Sequence, residues 1–397
     1  MKIIESGNVA AATGVKLSRA QVIAAYPITP QTPLTEKLSE LVESNQMKAE
    51  YIAVESEHSA LSVCIGAASA GARAFTATSA NGLLYMSEQV HWAAGARLPL
   101  VMCVVNRGTG APWTIWNDHQ DSMSQRDAGW IQIYVNNHQE IIDTVIKAYR
   151  LAETCSIPTM VCFDGYYLSH TYMPFDIPEQ KLIDDYLPAY YFKHTLDTSH
   201  PENINTVTMP HGRENAEGEF RKAYMDIRHN HHEEMRRAID SFIEIDQAYD
   251  YLVGRGGSAL FGLHKCDDAD YLVVVMGSLS NRLRDIADTL REQGLKVGIV
   301  SLHLYRPFPY EQLREILETA RGVVVFEKSI SYGYQGGVYS DIKAALYSSS
   351  KRPFIHNYII GLGGRLIRNE DLMEAIKQSA STAEDMDNKP QWLGLNR

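Results

Sequence analysis

Short, continuous apolar segments alternate with longer segments of helical periodicity over the first 170 residues or so. The predicted strands lie at 22–26, 51–55, 74–79, 98–106, 131–135 and 159–163. The predicted helices lie at 34–43, 59–72, 83–94 and 139–154. Apolar strands that alternate with helices indicate a parallel sheet covered by helices on both faces, so this part is predicted to be a doubly wound α/β domain.

A second alternating block begins at residue 271. Its predicted strands lie at 271–276, 297–302, 323–326 and 354–360, and its predicted helices at 281–293, 310–319, 341–347 and 370–379. The intervening stretch from about 174 to 257 is polar and rich in His and Tyr, and it includes a predicted long helix from 215 to about 251. We therefore predict a first domain at 1–255, with a polar helical extension, and a smaller α/β domain at 256–397.

Composition narrows the class of protein. A length of 397 residues favours two domains, and 45% hydrophobic with 21% charged residues is typical of a globular protein. The formal net charge of −11 argues against a nucleic-acid partner, because phosphates require clustered Lys and Arg. No secretory signal pattern and no bilayer-length apolar run are evident, so a cytoplasmic protein without a membrane partner is expected.

The five cysteines are scattered and form no C-x-x-C pair. They are Cys64, Cys103, Cys155, Cys162 and Cys266. Iron–sulfur clusters and structural zinc need several thiolates at short spacing, so this chain is not expected to build either by itself. Core packing is the favoured role for most of them.

The chemistry of such a fold is expected in the loops that follow the strands, because ligands bind outside the carboxyl ends of parallel strands. The first of these loops runs from Tyr26 to Pro33, and its three prolines stiffen the backbone that presents the Thr29 hydroxyl. A purely structural interpretation is a strand-to-helix turn with Thr32 as helix cap and Pro33 at the first helical position. That interpretation explains Thr32 and Pro33 but gives Thr29 no role.

Two further strand-end loops carry charged residues. Glu57 follows the second strand, where it either stabilises a helix N-terminus or faces a cofactor. His58 beside it is expected to be a packed or partly exposed residue rather than a catalyst. Arg107 ends a buried strand, where a guanidinium needs a carboxylate from a salt bridge or from a ligand. A hydroxyl, a carboxylate and a guanidinium together suit a small 2-oxo acid and a cofactor that needs a proton-relay carboxylate.

Several motifs, in order along nearly the whole chain, resemble the α subunit of pyruvate:ferredoxin oxidoreductases. They are Asn8-Val9-Ala10-Ala11-Ala12-x-Gly14, Tyr26-Pro27-Ile28-Thr29-Pro30, Glu57-His58-Ser59-Ala60, Trp116-Asn117-Asp118-His119-Gln120-Asp121, Arg126-Asp127-x-Gly129-Trp130, Asp164-Gly165, Tyr305-Arg306-Pro307-Phe308-Pro309 and Gly361-Leu362-Gly363-Gly364-Arg365. No single motif is decisive, but their joint occurrence is highly specific.

The resemblance implies a fold and a set of roles. The fold would be a pyrimidine-type thiamine-diphosphate-binding domain followed by a transketolase C-terminal-like α/β domain. Glu57 would correspond to the glutamate that hydrogen-bonds N1′ of the aminopyrimidine, with Pro27 and Ile28 also contacting the cofactor. Thr29 and Arg107 would bind the carboxylate of the substrate. These three residues, Glu57, Thr29 and Arg107, are the predicted catalytic set, and no metal ligand is predicted.

The resemblance also implies what partner chains must bring. Thiamine enzymes hold the diphosphate and Mg²⁺ with Gly-Asp-Gly and a later Asn, whereas Phe163-Asp164-Gly165 lacks the first glycine and no Asn follows at the family spacing. The diphosphate and Mg²⁺ site, the [4Fe-4S] clusters and the CoA-binding domain are therefore expected on β-, γ- and δ-type subunits, with ferredoxin as the electron acceptor.

The predicted reaction is oxidative decarboxylation of a 2-oxo acid to an acyl-CoA. Pyruvate is favoured over a branched-chain 2-oxo acid, and Ile28, Trp113 and Trp116 are candidates for the apolar contacts that would decide between them. A cluster-free thiamine-diphosphate decarboxylase or transketolase half is a second hypothesis. A scaffold subunit that has lost its chemistry is a third, against which the retained site residues speak.

Two other features have a structural and a functional interpretation. Gly361-x-Gly363-Gly364 lacks the spacing of a dinucleotide-binding loop, so a tight turn is favoured over a phosphate site. His229, His231 and His232 lie beside two glutamates with partial metal spacing, but on a polar helix a solvated face is favoured.

Overall fold

The computed structural model describes residues 1–190, 224–382 and 389–396. Two mainly parallel sheets form its framework, one of seven strands and one of six, and a two-stranded antiparallel pair lies beside them. The prediction of an α/β protein is confirmed. The predicted start of the long helix at residue 215 lies outside the described residues.

The first part of the chain supplies most of the larger sheet. Its strands are β1 (Lys2–Ser6), β2 (Val22–Ala25), β3 (Glu50–Ala53), β4 (Ala74–Thr78), β5 (Val101–Asn106), β6 (Ile131–Tyr134), β7 (Thr159–Asp164) and β8 (Tyr172–Asp176). Its helices are α1 (Gly7–Leu17), α2 (Thr32–Glu43), α3 (Glu57–Ser69), α4 (Ala80–Tyr85), α5 (Ser87–Gly95), α6 (Gln120–Met123), α7 (His138–Cys155), α8 (Gln180–Tyr186) and α9 (Tyr224–Val253).

The second part supplies the smaller sheet. Its strands are β9 (Phe261–His264), β10 (Tyr271–Val275), β11 (Val297–Leu302), β12 (Leu304–Arg306), β13 (Gly322–Glu327), β14 (Phe354–Ile359) and β15 (Gln391–Trp392). Its helices are α10 (Leu279–Glu292), α11 (Tyr310–Leu317), α12 (Gly337–Leu346) and α13 (Asn369–Ser381).

The larger sheet has the strand order β12-β6-β7-β5-β4-β2-β3. All neighbouring pairs are parallel except β12, which runs antiparallel to β6. Every residue of β4, β5 and β7 is buried, which is why these strands read as continuous apolar runs in the sequence. Their carboxyl ends meet at one edge of the sheet, where Asn106 pairs with Asp164.

The smaller sheet has the order β15-β14-β13-β10-β11-β9, with only β9 antiparallel to its neighbour. The hydrophobic faces of α10 and α13 pack on it in one apolar core. Along the chain β12 lies between β11 and β13 of the smaller sheet, yet it pairs with β6 of the larger sheet. The second part of the chain therefore contributes one strand to the larger sheet. The division into 1–255 and 256–397 stays a prediction.

Some elements differ from their predicted limits for identifiable reasons. The helix predicted at 83–94 is two helices, α4 and α5, which meet at Met86. The strand predicted from residue 98 begins at Val101, after Pro99, which has no backbone N–H for a strand ladder. The prediction that Thr32 caps its helix is wrong, because Thr32 is already the first residue of α2 and Gln31 precedes it.

A bilayer-spanning helix would need a long apolar stretch. Among the described residues, none of the helices is both long and apolar enough to cross a membrane.

Candidate active site

Glu57 is the first residue of α3. The side chain of Ser56 caps this helix by accepting a hydrogen bond from the Ser59 backbone N–H, and this fixes where Glu57 begins the first turn. Glu57 is only 7% exposed, yet its carboxylate has no hydrogen-bond partner within the described part of the chain. A buried carboxylate without a partner is costly for folding, and such costs are typically tolerated where a ligand supplies the partner.

The Glu57 carboxylate lies against the start of α4. A Cβ atom placed on Gly82 would lie 2.6 Å from Oε1 of Glu57 and 2.6 Å from the hydroxyl oxygen of Thr78, so only glycine fits there. The Thr78 hydroxyl is also buried and without a hydrogen-bond partner among the described residues. Two polar groups without partners therefore lie close together at the carboxyl edge of the sheet.

Arg107 follows β5 and is 5% exposed. Its Nε donates to the Thr114 carbonyl oxygen at 2.8 Å, its Nη1 donates to the Thr29 carbonyl oxygen at 2.9 Å, and its guanidinium lies 5.3 Å from the Trp113 ring centroid. No carboxylate of the described residues forms an ion pair with it, so the structural salt bridge that would explain a buried arginine is not present among them. Burial lowers the pKa of this guanidinium, and the charge of Asp121 opposes that shift.

Thr29 contacts Arg107 through its backbone carbonyl, whereas its side chain is exposed. Its loop is fixed by Gln31, whose amide donates to the carbonyl oxygens of Ala77 at 2.8 Å and Tyr26 at 3.1 Å. Gln31 therefore ties the loop to β4 rather than capping α2. The structure thus brings the Thr29 carbonyl group to Arg107, and the binding of a substrate carboxylate by these two residues stays a prediction.

Asp121 is a residue of this site that the sequence did not single out beyond its place in the 116–121 motif. It is fully buried, and its carboxylate accepts four hydrogen bonds. The donors are the backbone N–H groups of Ala80 (2.9 Å), Arg107 (3.0 Å) and Ser122 (2.8 Å) and the Asn106 side chain (2.7 Å). Burial raises its pKa to about 6, although the hydrogen bonds from Asn106, Ala80 and Arg107 lower it.

The 107–121 segment, from Arg107 to Asp121, contacts the start of α4 through Gly110 and also contacts the second part of the chain. The Gly363 backbone N–H donates to Asp118 at 3.1 Å, and the Gly364 N–H donates to the Asn117 carbonyl oxygen at 2.8 Å. Trp116 packs against Gly364, where a Cβ would lie 2.4 Å from the Trp116 side chain. The glycine loop is thus a tight turn whose N–H groups bind protein, in agreement with the favoured interpretation.

Asp164, at the end of β7, is fully buried and binds groups from both parts of the chain. It accepts from Lys328 Nζ at 2.6 Å and from the Ser278 backbone N–H at 3.1 Å, and it lies 2.7 Å from His119 Nε2. Burial acts to raise its pKa, but Lys328 and His119 outweigh that effect and hold the pKa well below its usual range. Its oxygens are thus already engaged by protein donors.

Comparison with protein families gives two matches. Residues 13–237 match the family described as pyruvate flavodoxin/ferredoxin oxidoreductase, thiamine-diphosphate-binding, and residues 269–372 match core domain II of pyruvate:ferredoxin oxidoreductase. The ketoisovalerate oxidoreductase subunit VorA of Pyrococcus horikoshii is 40% identical over 400 residues, which cover 100% of this chain and 99% of that subunit. The chain is an α subunit of the 2-oxoacid:ferredoxin oxidoreductase family.

Other members of this oxidoreductase family are equally similar to the chain. The pyruvate synthase subunit PorA of Methanocaldococcus jannaschii is 41% identical over 399 residues, which cover 100% of this chain and 98% of that subunit. The PorA subunit of Pyrococcus furiosus is also 41% identical, over 397 residues and 97% of its length. Sequence identity to this chain is therefore about the same for the pyruvate synthase subunits as for the ketoisovalerate oxidoreductase subunit.

Two solved structures share the fold at low sequence identity. A 2-oxoglutarate:ferredoxin oxidoreductase from Magnetococcus marinus matches with a TM-score of 0.69 and 21% identity, covering 95% of this chain and 65% of that one. A split-gene transketolase matches with a TM-score of 0.55 and 13% identity, covering 95% and 98%. The predicted fold, a thiamine-diphosphate-binding domain followed by a transketolase C-terminal-like domain, is confirmed.

The site of this oxidoreductase subunit fits one half of thiamine diphosphate. The unpartnered Glu57 carboxylate and Thr78 hydroxyl suit the polar edge of an aminopyrimidine ring. Asp164 does not suit a Mg²⁺–diphosphate site, because Lys328, His119 and Ser278 occupy its oxygens. Glu57 and Thr78 therefore fit the pyrimidine end of the cofactor, whereas the Asp164 oxygens are already bound by protein donors.

The histidine cluster of α9 is only partly as predicted. His229 and His232 are exposed, in agreement with a solvated face. The prediction fails for His231, which is 6% exposed and bonds through Nε2 to the Gly129 carbonyl oxygen at 3.0 Å. Burial lowers its pKa to about 4, so it packs as a neutral side chain. Its hydrogen bond joins α9 to Gly129, in the segment that precedes β6.

All five cysteines are buried and unpaired. Burial raises the pKa of the Cys64 thiol to about 12 and that of Cys155 to about 11. Buried thiols of this kind pack as small apolar groups, as the sequence predicts.

Proposed function

We propose that this chain is the subunit that activates thiamine diphosphate and binds the substrate carboxylate in a CoA-dependent 2-oxoacid:ferredoxin oxidoreductase. The observation that carries the proposal is that Glu57 and Arg107 are both buried at one edge of the sheet and carry opposite charges. Neither forms an ion pair with a described residue. Glu57 lacks any hydrogen-bond partner among those residues, and the Arg107 guanidinium binds only carbonyl oxygens. A cofactor nitrogen and a substrate carboxylate would satisfy them.

Thiamine diphosphate, when bound, supplies a nucleophilic carbon and an electron sink for decarboxylation. Glu57, which is 7% exposed, would hydrogen-bond a nitrogen of the pyrimidine ring and hold a proton there. Pro27 and Ile28 lie in the loop that would border the ring, and their cofactor contacts stay predictions. The surrounding low dielectric strengthens the interaction of Glu57 with a ring nitrogen.

Arg107 would orient the 2-oxo acid by binding its carboxylate, with Thr29 beside it. The Arg107 side chain is already held by Thr29 and Thr114, so little side-chain entropy is lost when a substrate binds. The 107–121 segment would shield the reacting carbon from water. The Thr29 hydroxyl is exposed and therefore accessible to a ligand.

Partner subunits complete the enzyme in this proposal. Asp164 is engaged by Lys328, so a partner of β type would hold the diphosphate and Mg²⁺. The five buried cysteines are not arranged to bind clusters, so [4Fe-4S] clusters would lie on partner chains, which also include γ- and δ-type subunits. These would pass two electrons to ferredoxin and bind CoA. Cytoplasmic location stays a prediction of the sequence.

Pyruvate is the substrate we favour, on the strength of the 117–121 motif, and a branched-chain 2-oxo acid is the second candidate. The similarity of this chain to both PorA and VorA subunits supports either. Trp113 lies beside the Arg107 guanidinium and is 81% exposed, so it could contact a substrate side chain. Trp116 packs instead on Tyr166, with ring centroids 4.6 Å apart.

The deciding experiment is an anaerobic assay of the complex purified through this chain. It follows CoA-dependent reduction of a viologen dye with pyruvate, 3-methyl-2-oxobutanoate and 2-oxoglutarate in parallel. We expect reduction with pyruvate. Preference for 3-methyl-2-oxobutanoate would assign the branched-chain activity instead. A complex that lacks iron and reduces no dye would contradict the proposal and favour the cluster-free decarboxylase, or the scaffold if it also lacks thiamine diphosphate.

A further inference from the structure

The two charged residues of the candidate site, Glu57 and Arg107, follow different strands of the larger sheet. Glu57 begins α3 and faces the first turn of α4, whereas Arg107 follows β5. Catalysis by the proposed function requires the cofactor and the substrate carboxylate to be held at a fixed separation, and small displacements of reacting groups reduce rates strongly. Some group must therefore fix the start of α4 relative to the end of β5.

Asp121 makes the contacts that do this. One carboxylate oxygen, Oδ2, accepts both the Ala80 backbone N–H at 2.9 Å and the Arg107 backbone N–H at 3.0 Å. Ala80 is the first residue of α4, and Arg107 is the residue proposed to bind substrate. We propose that Asp121 is a positioning residue that fixes Arg107 relative to Glu57, an inference that rests on the proposed function.

The connection from Ala80 to Glu57 is short. Gly82, two residues further along α4, lies so close that a Cβ there would be 2.6 Å from Oε1 of Glu57. Between them, Asn81 accepts a hydrogen bond from the Gly110 N–H at 2.9 Å, which ties the same helical turn to the 107–121 segment. Ala80 itself has a φ of +43°, a conformation that L-residues disfavour, and its bond to Asp121 helps to hold it.

A carboxylate is needed at position 121, and an amide would not replace it. Oδ1 accepts from the Asn106 side chain at 2.7 Å and the Ser122 N–H at 2.8 Å, so both oxygens of Asp121 accept two hydrogen bonds each. In an asparagine one oxygen becomes an NH₂ group that would face two donors. Because Asp121 is fully buried, water cannot replace the lost bonds.

The test compares the Asp121→Asn complex with the wild-type complex by two constants. One is the dissociation constant of thiamine diphosphate with Mg²⁺, titrated calorimetrically into the cofactor-stripped complex, which reports the Glu57 side. The other is the KM for the preferred 2-oxo acid, which reports the Arg107 side. We expect both to rise and kcat/KM to fall by about tenfold or more. If neither constant changes, or only one of them, the proposal that Asp121 positions Arg107 relative to Glu57 is wrong.

Asp143→Asn is the matched control. Asp143 is likewise a buried carboxylate of the first part of the chain, but its partners are Gln139, Tyr249 and Arg255, none of which is bonded to Glu57, Arg107 or Asp121 among the described residues. We expect this variant to lower the unfolding midpoint and leave both constants within about twofold of wild type. Equal changes in the two variants would show that Asp121 acts only through stability.

If the Asp121→Asn complex does not assemble, a second variant tests the same role of Asp121. Asn106→Ala removes one donor to Asp121 and leaves the two backbone bonds that join Ala80 and Arg107. Smaller rises in both constants are expected, and no rise in either would contradict the role. An inactive wild-type complex would contradict the proposed function, whereas an active wild type with an unaffected Asp121→Asn variant would contradict only the positioning role.

Discussion

Lys328 Nζ lies 2.6 Å from Oδ2 of Asp164, and both side chains are almost completely buried. Asp164 ends β7 of the larger sheet and Lys328 follows β13 of the smaller one, so this ion pair joins the two parts of the chain. Lys328 also donates to the Asn117 side chain at 3.2 Å, and its carbonyl oxygen accepts from the His119 N–H at 2.8 Å. The pair therefore also supports the 107–121 segment, to which Arg107 belongs.

Lys328→Met should destabilise the protein, because it leaves the buried Asp164 carboxylate without its cation. Breaking one partner of a buried pair typically costs about 3–5 kcal/mol. The measurement is the thermal unfolding midpoint of the assembled complex. The double variant Lys328→Met/Asp164→Asn removes the uncompensated charge and should recover part of the loss. A midpoint unchanged by the single variant would show that the pair contributes no net stability.

Glu57→Gln should abolish turnover while the complex stays assembled, since an amide cannot take and return the proton. Viologen reduction and subunit content are measured together. The matched control is Glu55→Gln, which neutralises an exposed glutamate two residues earlier. Among the described residues, the Glu55 side chain hydrogen-bonds to Ser59. This control should retain activity within about twofold of wild type. Normal turnover by Glu57→Gln would remove the cofactor assignment.

Arg107→Ala should lower kcat/KM for the 2-oxo acid by more than tenfold. This corresponds to a loss of at least about 1.4 kcal/mol of transition-state stabilisation. Arg97→Ala is a close control, because the hydrogen bonds of Arg97 to described residues go to the backbone carbonyls of Ser156 and Cys155, and burial lowers its pKa too. Its loss should affect stability and leave kcat/KM nearly unchanged. Similar losses in both variants would make Arg107 a structural residue.

Thr29→Ala tests the hydroxyl separately from the backbone. The carbonyl oxygen that accepts from Arg107 remains in this variant, so the Arg107 side chain should keep its position. If the hydroxyl binds the substrate, kcat/KM should still fall by more than about tenfold. An unchanged specificity constant would limit the role of Thr29 to its carbonyl.

Glu327 should make stability depend on pH. It is buried, which raises its pKa to about 7, although backbone N–H groups of Tyr339 and Val338 and the Asn357 side chain lower it. The Glu327 carboxyl has a higher pKa in the folded state than the value of about 4.3 in the unfolded state. Its contribution to stability is therefore fully present below about pH 4.3, and it is lost as the pH rises from there through the folded-state pKa. The loss is on the order of 2–4 kcal/mol between these limits.

Glu327→Gln keeps the shape and does not titrate, so its unfolding midpoint relative to wild type should rise between pH 5 and pH 8. Glu292→Gln, which alters an exposed glutamate of the same part of the chain, should show a difference that does not vary with pH. A constant difference for Glu327→Gln as well would contradict the raised pKa.

The sequence by itself determined the α/β class, most strands and the order of the two alternating blocks. It could do so because a strand buried on both faces must be apolar throughout, as in β5 and β7, and because helical periodicity is a local property. It also placed Thr29, Glu57 and Arg107 at strand ends. Parallel strands bring their carboxyl ends to one edge, which is why residues far apart in sequence were predicted to meet.

Only the tertiary structure decided which groups are free to bind a ligand. Whether Asp164 is available to a metal depends on Lys328, which is 164 positions further along the chain. The partners of the Arg107 guanidinium likewise include the Thr29 carbonyl, 78 positions earlier. The role of Asp121 also required the fold, because its four donors come from three separate segments. Burial and hydrogen-bond partners are properties of the assembled chain, and a local pattern of residue types does not contain them.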